Sequence, residues 1–135
     1  MIAWNPSLSI GIQEIDEQHQ AIVGLINELE ANRDSHDPAV AAEAIRFLRE
    51  YLNGHFDLEC ELMLDICYPH LESHKQQHEL FINHVIFFEI ENEFGVVTSV
   101  MLSDILAFLN DWFVSHIATE DRKLGAFART RALAE

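Results

Sequence analysis

Apolar residues recur at steps of three and four positions over long stretches of this chain, and this spacing constrains the fold more than any other feature. In one stretch, Ile45, Leu48, Leu52 and Phe56 follow one another at such steps. Residues three and four apart share one face of an α-helix. The only β-branched cluster, FGVVTSV, is too short to build a sheet. The sequence therefore predicts an all-α protein.

Prolines, glycines and capping residues divide the chain into an irregular N-terminal arm, four long helices and a short final segment. The arm covers residues 1–15, and the last segment covers about 119–133. The four long helices run from Asp16 to about Asp34, from Pro38 to about Asp65, from Pro69 to about Phe94, and from Thr98 or Ser99 to near His116. Asp16 and Asp37 are the expected N-caps, and Gly95 is expected to end the third helix. Long helices with short connections predict an up-down-up-down four-helix bundle, with an irregular N-terminal arm and a short C-terminal helix.

Composition and charge narrow the class of protein and its partners. The chain has 135 residues, of which 49% are hydrophobic, and this predicts a single domain spanning residues 1–135. The formal net charge of −15 disfavours binding to nucleic acid or to a membrane surface, because both need clustered Lys and Arg. With no long apolar run and no secretion signal at the N-terminus, we expect a cytoplasmic protein. Cys60 and Cys67 lie too far apart along one helix for a disulfide, and free thiols are expected.

Histidines and carboxylates stand where a buried metal site would need them. His55 and Glu59 are four apart on the second helix, and His74 and His78 are four apart on the third, so that each pair shares a helix face. A single pair of this kind is often no more than two solvated side chains. Here, however, all four long helices offer donors beside apolar residues, and such donors would destabilise a bundle core if they were buried without partners. A metal site accounts for the whole set, which is His19, His55, Glu59, His74, His78, His116 and Asp121.

Two positions in this set depend on helix geometry. Asp121 follows His116 by five residues, which is about 140° around a regular helix, so both can face one metal only if the helix ends or loosens between residues 117 and 121. His70, His74 and His78 form one row at four-residue steps, and His70 could take the place of His74. Of the other histidines, His36 and His84 are expected to face solvent.

Four segments of the chain, IDEQH, HFDLECELM, YPHLESHKQQH and WFVSHIATED, closely resemble the hemerythrin family, in particular its single-domain bacterial members. The likeness runs from Trp4 to Asp121. It implies a hemerythrin-like domain with a non-haem di-iron centre in the bundle core. The implied ligands are His74, His78 and His116 for one iron, His19 and His55 for the other, and Glu59, Asp121 and an oxo or hydroxo group as bridges between the two irons.

The resemblance also implies a function. The implied ligand set leaves one coordination position open, on the iron with two histidines, and a single open position in an apolar pocket suits reversible binding of O2 for carriage, storage or delivery. No Glu-x-x-His pair of the kind used by ferritin-like di-iron proteins occurs, and we therefore expect a binding protein and not an enzyme. From their offsets to the ligands, the expected walls of the pocket are Ile22, Phe56, Leu109 and Trp112.

Other functions fit the same centre. It could belong to an O2 or redox sensor module, or to a di-iron enzyme that reduces peroxide or nitric oxide. The ligand types alone do not select the metal, because imidazole binds iron, manganese and zinc.

One apolar stripe is not explained by the site. Leu80, Phe87 and Phe94 fall on the face of the third helix opposite His78. We expect the arm, with Ile2, Trp4, Leu8, Ile10 and Ile12, to cover this stripe within a monomer. The alternative is a dimer that forms through the stripe.

Overall fold

The computed structural model describes residue 4 and residues 6–134, and among these residues it contains helices and no strands. After a 3₁₀ turn at Pro6–Leu8 come helices α1 (Gln13–Ala31), α2 (Pro38–Asp65), α3 (Leu71–Glu93) and α4 (Thr98–His116), a π-helical turn at Ile117–Asp121, and helix α5 (Arg122–Ala134). The all-α prediction is confirmed.

The four long helices form the predicted up-down-up-down bundle. Each packs on the next along the chain, and α1 also packs on α4, which closes the bundle. Apolar residues that are almost completely buried fill the space between them, among them Ile15, Ile22, Leu48, Phe81 and Leu109. None of the helices described is long and apolar enough to span a membrane. Cys60 and Cys67 are both free thiols, as predicted.

The start of α2 follows the prediction, whereas the start of α1 does not. The Asp37 carboxylate accepts a hydrogen bond from the backbone N–H of Ala39 at 3.0 Å and caps α2. Asp16 is the predicted cap of α1, but the helix begins three residues earlier, and Ile12 occupies the N-cap position. Asp16 instead accepts hydrogen bonds from the backbone N–H of Ile10 at 2.9 Å and from the Ser9 hydroxyl at 2.5 Å. It therefore ties the arm to α1.

The third helix also starts later than predicted, at Leu71 and not at Pro69. The chain leaves α2 through Cys67, whose φ of 55° places it in the left-handed region. The backbone N–H of Tyr68 donates to the carbonyl of Met63 at 2.9 Å, so this turn takes up the residues before Leu71. At the other end of α3, Gly95 has a φ of 76°, a conformation that favours glycine, and it ends the helix as predicted.

The expectation that the arm covers the stripe on α3 is wrong for the described part of the arm. Ile10 is only 3% exposed and packs on α5, where its carbonyl lies against Gly125. The side chains of Leu80, Phe87 and Phe94 remain 53%, 54% and 83% exposed. Ile2 lies outside the described residues. The described part of the arm packs on the apolar core of the bundle, and its hydrogen bonds with Asp16 hold it there.

The contact between the arm and α5 yields a testable prediction. A Cβ atom added at Gly125 would overlap the Ile10 carbonyl oxygen, so Gly125→Ala should displace the arm and lower the free energy of unfolding by about 1–3 kcal/mol. Gly24→Ala is the matched control, because Gly24 is an exposed position within α1 where an added Cβ would meet no atom within 4 Å, and this change should stabilise by about 0.5–1 kcal/mol. Urea unfolding measures both. Equal stability of the two variants would contradict the packing described.

Candidate metal centre

Seven polar side chains from all four long helices and the π-helical turn meet in the bundle core. None is more than 5% exposed. The set comprises His19 on α1, His55 and Glu59 on α2, His74 and His78 on α3, His116 at the end of α4, and Asp121 in the π-helical turn. The structure therefore brings together all seven candidate ligands predicted from the sequence.

The π-helical turn is what allows Asp121 to join the cluster. In a π-helix the backbone hydrogen bonds join residues five apart, so a residue five positions on lies about one full turn further along. Asp121 consequently returns to the face of His116, and its Oδ1 lies 3.0 Å from His116 Nε2. The predicted loosening of the helix between residues 117 and 121 is confirmed.

The seven side chains divide into two groups that share both carboxylates. In each group, one donor atom per residue lies within 4.8 Å of the others. One group has three imidazoles and the other has two. The larger group comprises His74, His78 and His116 with Glu59 and Asp121, and the smaller comprises His19 and His55 with the same Glu59 and Asp121.

Each carboxylate contacts imidazoles of both groups. Asp121 Oδ2 lies 3.0 Å from His19 Nε2, whereas its Oδ1 lies 3.2 Å from His74 Nε2 and faces the larger group. Glu59 Oε1 lies 2.9 Å from His55 Nε2 and 3.6 Å from His78 Nε2, and its Oε2 lies 3.3 Å from His74 Nε2. Two carboxylates in this arrangement could each bridge a pair of metal ions.

The chemistry of the buried atoms fits metal ions. Apart from their contacts with one another, the oxygens of Glu59 and Asp121 have no hydrogen-bond partner, and neither do the Nε2 atoms of His19, His74, His78 and His116. Buried polar atoms without partners destabilise a folded protein. Imidazole nitrogens and carboxylate oxygens are ligands for iron, manganese and zinc, and such ions would satisfy these atoms together.

Gln18 supports one imidazole from outside the cluster. Its Oε1 accepts a hydrogen bond from Nδ1–H of His55 at 2.5 Å, and Nε2 of the same ring lies toward Glu59. The sequence did not predict this role for Gln18. Its partner lies 37 positions away on another helix, and the only available indication was that a polar residue precedes His19.

The two carboxylates are held in their charged form. Burial alone would raise the pKa of Glu59, but contacts with the imidazoles of His55, His74 and His78 outweigh it and hold the pKa well below its usual value. Burial and the Glu59 charge act to raise the pKa of Asp121 as well, and the imidazoles of His116 and His19 lower it below its usual value. Both side chains are therefore anionic at neutral pH, which is the state that binds cations.

The pKa values of two imidazoles on α3 are shifted in opposite directions. Burial lowers the pKa of His74, but its contacts with Asp121 and Glu59 outweigh burial and raise the pKa to about 9. Burial lowers the pKa of His78, and the charges of His74 and His116 act in the same sense against the contact with Glu59. In the metal-free protein, His74 is therefore the imidazole of this pair that carries a proton and partly balances the two carboxylates.

A small cavity adjoins the two-histidine group. Its volume is about 10 Å³, close to the lower limit for one water-sized guest. Its polar walls are His19, His55, His116 and Asp121, and its other walls are Ile22, Tyr51, Phe56, Phe81, Trp112, Phe113 and Ile117.

Three of the four wall residues predicted from the sequence do line this cavity. The fourth, Leu109, is completely buried in the core but is not part of the wall. Trp112 stacks on the His116 ring with centroids 4.3 Å apart, and Phe56 stacks on the His78 ring at 3.7 Å. Four further wall residues were not predicted, although each lies within one helical turn of a predicted ligand; they are Tyr51, Phe81, Phe113 and Ile117.

The remaining histidines lie outside the cluster. His70 is exposed at the N-cap position of α3, so it does not replace His74. His84 is exposed and stacks on Phe108 with centroids 4.2 Å apart, and His36 is exposed in the connection before α2. The expectations for these side chains are confirmed.

Known proteins resemble the chain in sequence. Residues 10–128 match a family model described as the hemerythrin HHE cation binding domain. The chain is 32% identical to a bacteriohemerythrin of Stenotrophomonas maltophilia, over 90% of this chain and 78% of that protein. It is 34% identical to a bacteriohemerythrin of Pseudomonas aeruginosa, over 89% and 76% of the two chains, and 31% identical to a hemerythrin-like protein of Naegleria gruberi, over 89% and 87%.

Solved structures match the fold. A crystal structure of wild-type hemerythrin superposes with a TM-score of 0.82 and 21% identity, covering 95% of this chain and 98% of the other. A mutant hemerythrin superposes with a TM-score of 0.83 at the same identity, covering 95% and 97%. At this identity, the likeness concerns the fold.

The raised pKa of His74 yields a prediction for metal uptake. Below about pH 9 the metal-free protein holds a proton on His74, and a metal ion must displace that proton to reach Nε2. Uptake of Fe²⁺ at pH 7 should therefore release protons, and the apparent affinity should increase as the pH rises toward 9. Anaerobic calorimetry in buffers with different ionisation enthalpies measures the release. His84→Gln, which changes an exposed imidazole outside the cluster, should behave like the parent. A heat of binding that is independent of the buffer would contradict the prediction.

Proposed function

The chain belongs to the hemerythrin family, and from this premise we propose that it binds O2 reversibly at a non-haem di-iron centre, for carriage, storage or delivery. The observation that carries the proposal is the position of the cavity. Both imidazoles of the smaller group line it, whereas the larger group contributes only one of its three imidazoles, His116, and His74, His78 and Glu59 are not part of its wall. A small guest in this cavity therefore meets the metal position that has fewer protein ligands.

The proposed ligands follow the two groups of donors. His74, His78 and His116 hold one iron, His19 and His55 hold the other, and Glu59 and Asp121 bridge them. When bound, the two ferrous ions supply the electrons that make O2 binding favourable. The two bridging carboxylates offset the charge of the ions, and Gln18 fixes the orientation of His55.

The apolar walls of the cavity favour reversible binding of O2 over catalytic turnover. Phe56, Phe81 and Phe113 surround the cavity together with two isoleucines, so that liquid water and charged species are poorly accommodated there. Slow escape of charged products keeps O2 binding reversible. The small volume also disfavours larger substrates, which supports a binding protein over an enzyme.

Cell location, domain extent and partners complete the proposal. We propose a cytoplasmic protein in which residues 1–135 form one hemerythrin-like domain that binds neither nucleic acid nor membranes. The net charge of −15 opposes self-association and favours a monomer. The alternative is a dimer through Leu80, Phe87 and Phe94, which the described residues leave exposed.

The proposal is tested by an anaerobic optical titration of the iron-loaded, reduced protein with O2, followed by argon purging. We expect a charge-transfer band that grows to saturation with O2 and disappears on purging. Metal analysis should find two irons per chain. Permanent oxidation at the first addition of O2 would rule out a carrier. Steady-state consumption of peroxide or nitric oxide with an electron donor would instead support an enzyme.

Trp112 offers a test of the role of the walls. Trp112→Ala should enlarge the cavity, admit water and increase the rate of autoxidation by about ten-fold or more, because the indole closes one side of the cavity beside His116. Phe108→Ala is the matched control, since Phe108 lies one turn earlier on α4 and does not line the cavity. Absorption spectra of the O2-loaded proteins, recorded after stopped-flow or manual mixing, give the autoxidation rates. If both variants autoxidise at the parent rate, Trp112 does not protect the site.

A further inference from the structure

Tyr51 lines the cavity and carries a buried hydroxyl group with no partner. The residue lies on α2, one turn before His55, and it lines the cavity together with His19, His55 and Asp121. The hydroxyl oxygen is buried and makes no hydrogen bond. A buried hydroxyl without a partner destabilises the fold, so its presence at this place requires an explanation.

The ring of Tyr51 is held in position by its neighbours. It stacks on His55 with ring centroids 5.2 Å apart and planes 22° apart, and on Phe47 with centroids 5.9 Å apart and planes 12° apart. Stacking on both rings limits rotation of the side chain. The ring is thus held in a nearly fixed position beside the cavity, and polar groups held in fixed positions are how a binding site recognises a small ligand.

The chemistry of the wall identifies the partner. The other polar side chains there are three imidazoles, one carboxylate and the indole of Trp112, and the imidazoles and the carboxylate belong to the two metal-binding groups. A phenol has an ordinary pKa near 10 and is a hydrogen-bond donor at neutral pH. The hydroxyl lacks a hydrogen-bond acceptor, and O2 and small anions such as azide can accept a hydrogen bond.

We propose that the Tyr51 hydroxyl donates a hydrogen bond to the ligand held in the cavity. This inference rests on the proposed function, because it assigns a polar contact to the same site. Tyr51 is then a ligand-binding residue. Trp112 also lines the cavity, and its indole N–H is likewise buried without a partner. The hydrogen bond slows dissociation of the ligand.

Tyr68 is a matched control within the same chain. Its hydroxyl is likewise buried without a hydrogen bond, and its ring contacts His74 edge-on with centroids 6.4 Å apart. It packs with Met63 and Leu124 in a separate small cluster, however, and does not line the cavity. Removal of this hydroxyl should leave ligand binding unchanged.

The experiment compares Tyr51→Phe and Tyr68→Phe with the parent after iron loading to equal content. Tyr51→Phe should release O2 about three to ten times faster in stopped-flow measurements, the effect of losing one neutral hydrogen bond, and should bind azide to the oxidised protein more weakly by a similar factor. Tyr68→Phe should stay within about two-fold of the parent for both, because its hydroxyl does not reach the cavity.

A vibrational measurement reports the hydrogen bond itself. The infrared stretch of bound azide should shift between H2O and D2O in the parent and in Tyr68→Phe, and the shift should be lost in Tyr51→Phe. The metal-free Tyr51→Phe protein should unfold at the same temperature as the parent or higher, because a hydroxyl without a partner is removed. A lower temperature would indicate a structural role for the hydroxyl and count against the proposal.

The results separate this inference from the proposed function. A parent protein that does not bind O2 reversibly overturns the proposed function, and the azide data still test Tyr51. Unchanged O2 release, azide affinity and isotope shift in Tyr51→Phe overturn the role of Tyr51. If Tyr51→Phe fails to load iron, the parent protein alone provides the test. The absence of an isotope shift in the azide band of the parent would then rule out the proposed hydrogen bond.

Discussion

The burial of imidazole and carboxylate groups without hydrogen-bonding partners is the constraint on which the rest of the structure depends. Glu59 and Asp121 are completely buried, and apart from their contacts with the imidazoles their carboxylate oxygens have no hydrogen-bond partner. Imidazoles at 2.9–3.6 Å offset their charges. Metal binding would remove this cost, because the carboxylate oxygens and imidazoles would gain ligand bonds. We therefore expect the stability of the bundle and its metal content to be linked, as in other proteins whose sites form on folding.

A local irregularity in the last helix completes the cluster. The π-helical turn at Ile117–Asp121 adds the rotation that brings Asp121 onto the face of His116, and the chain then continues as α5. The buried Leu124 and the close contact of Gly125 with the arm hold the first turn of α5 in place. Asp16 holds the arm through Ile10. The described part of the arm, which contributes none of the candidate ligands, thus supports the position of Asp121 from outside the site.

The two donor groups differ in their number of imidazoles, and the cavity lies beside the group that has fewer. The group with three imidazoles contributes only His116 to the cavity wall, and Phe56 covers its His78 by stacking on that ring. The group with two imidazoles adjoins the cavity, where one polar side chain, Tyr51, has a hydroxyl without a partner. Membership of the hemerythrin family, the unequal groups and the apolar walls together support the proposal of a binding site for a small gas molecule.

The sequence by itself determined the four long helices and the candidate ligands, because both depend on local spacing along one helix. His55 and Glu59 share a face whatever packs against them, and the five-residue step to Asp121 required an irregular turn. Tertiary structure decided what depends on contacts between helices. The hydrogen bond from His55 to Gln18 joins residues 37 apart, the arm packs on α5 and not on Phe87, and Tyr51 in place of Leu109 lines the cavity. Spacing along a helix defines a face, but only packing decides which neighbour that face meets.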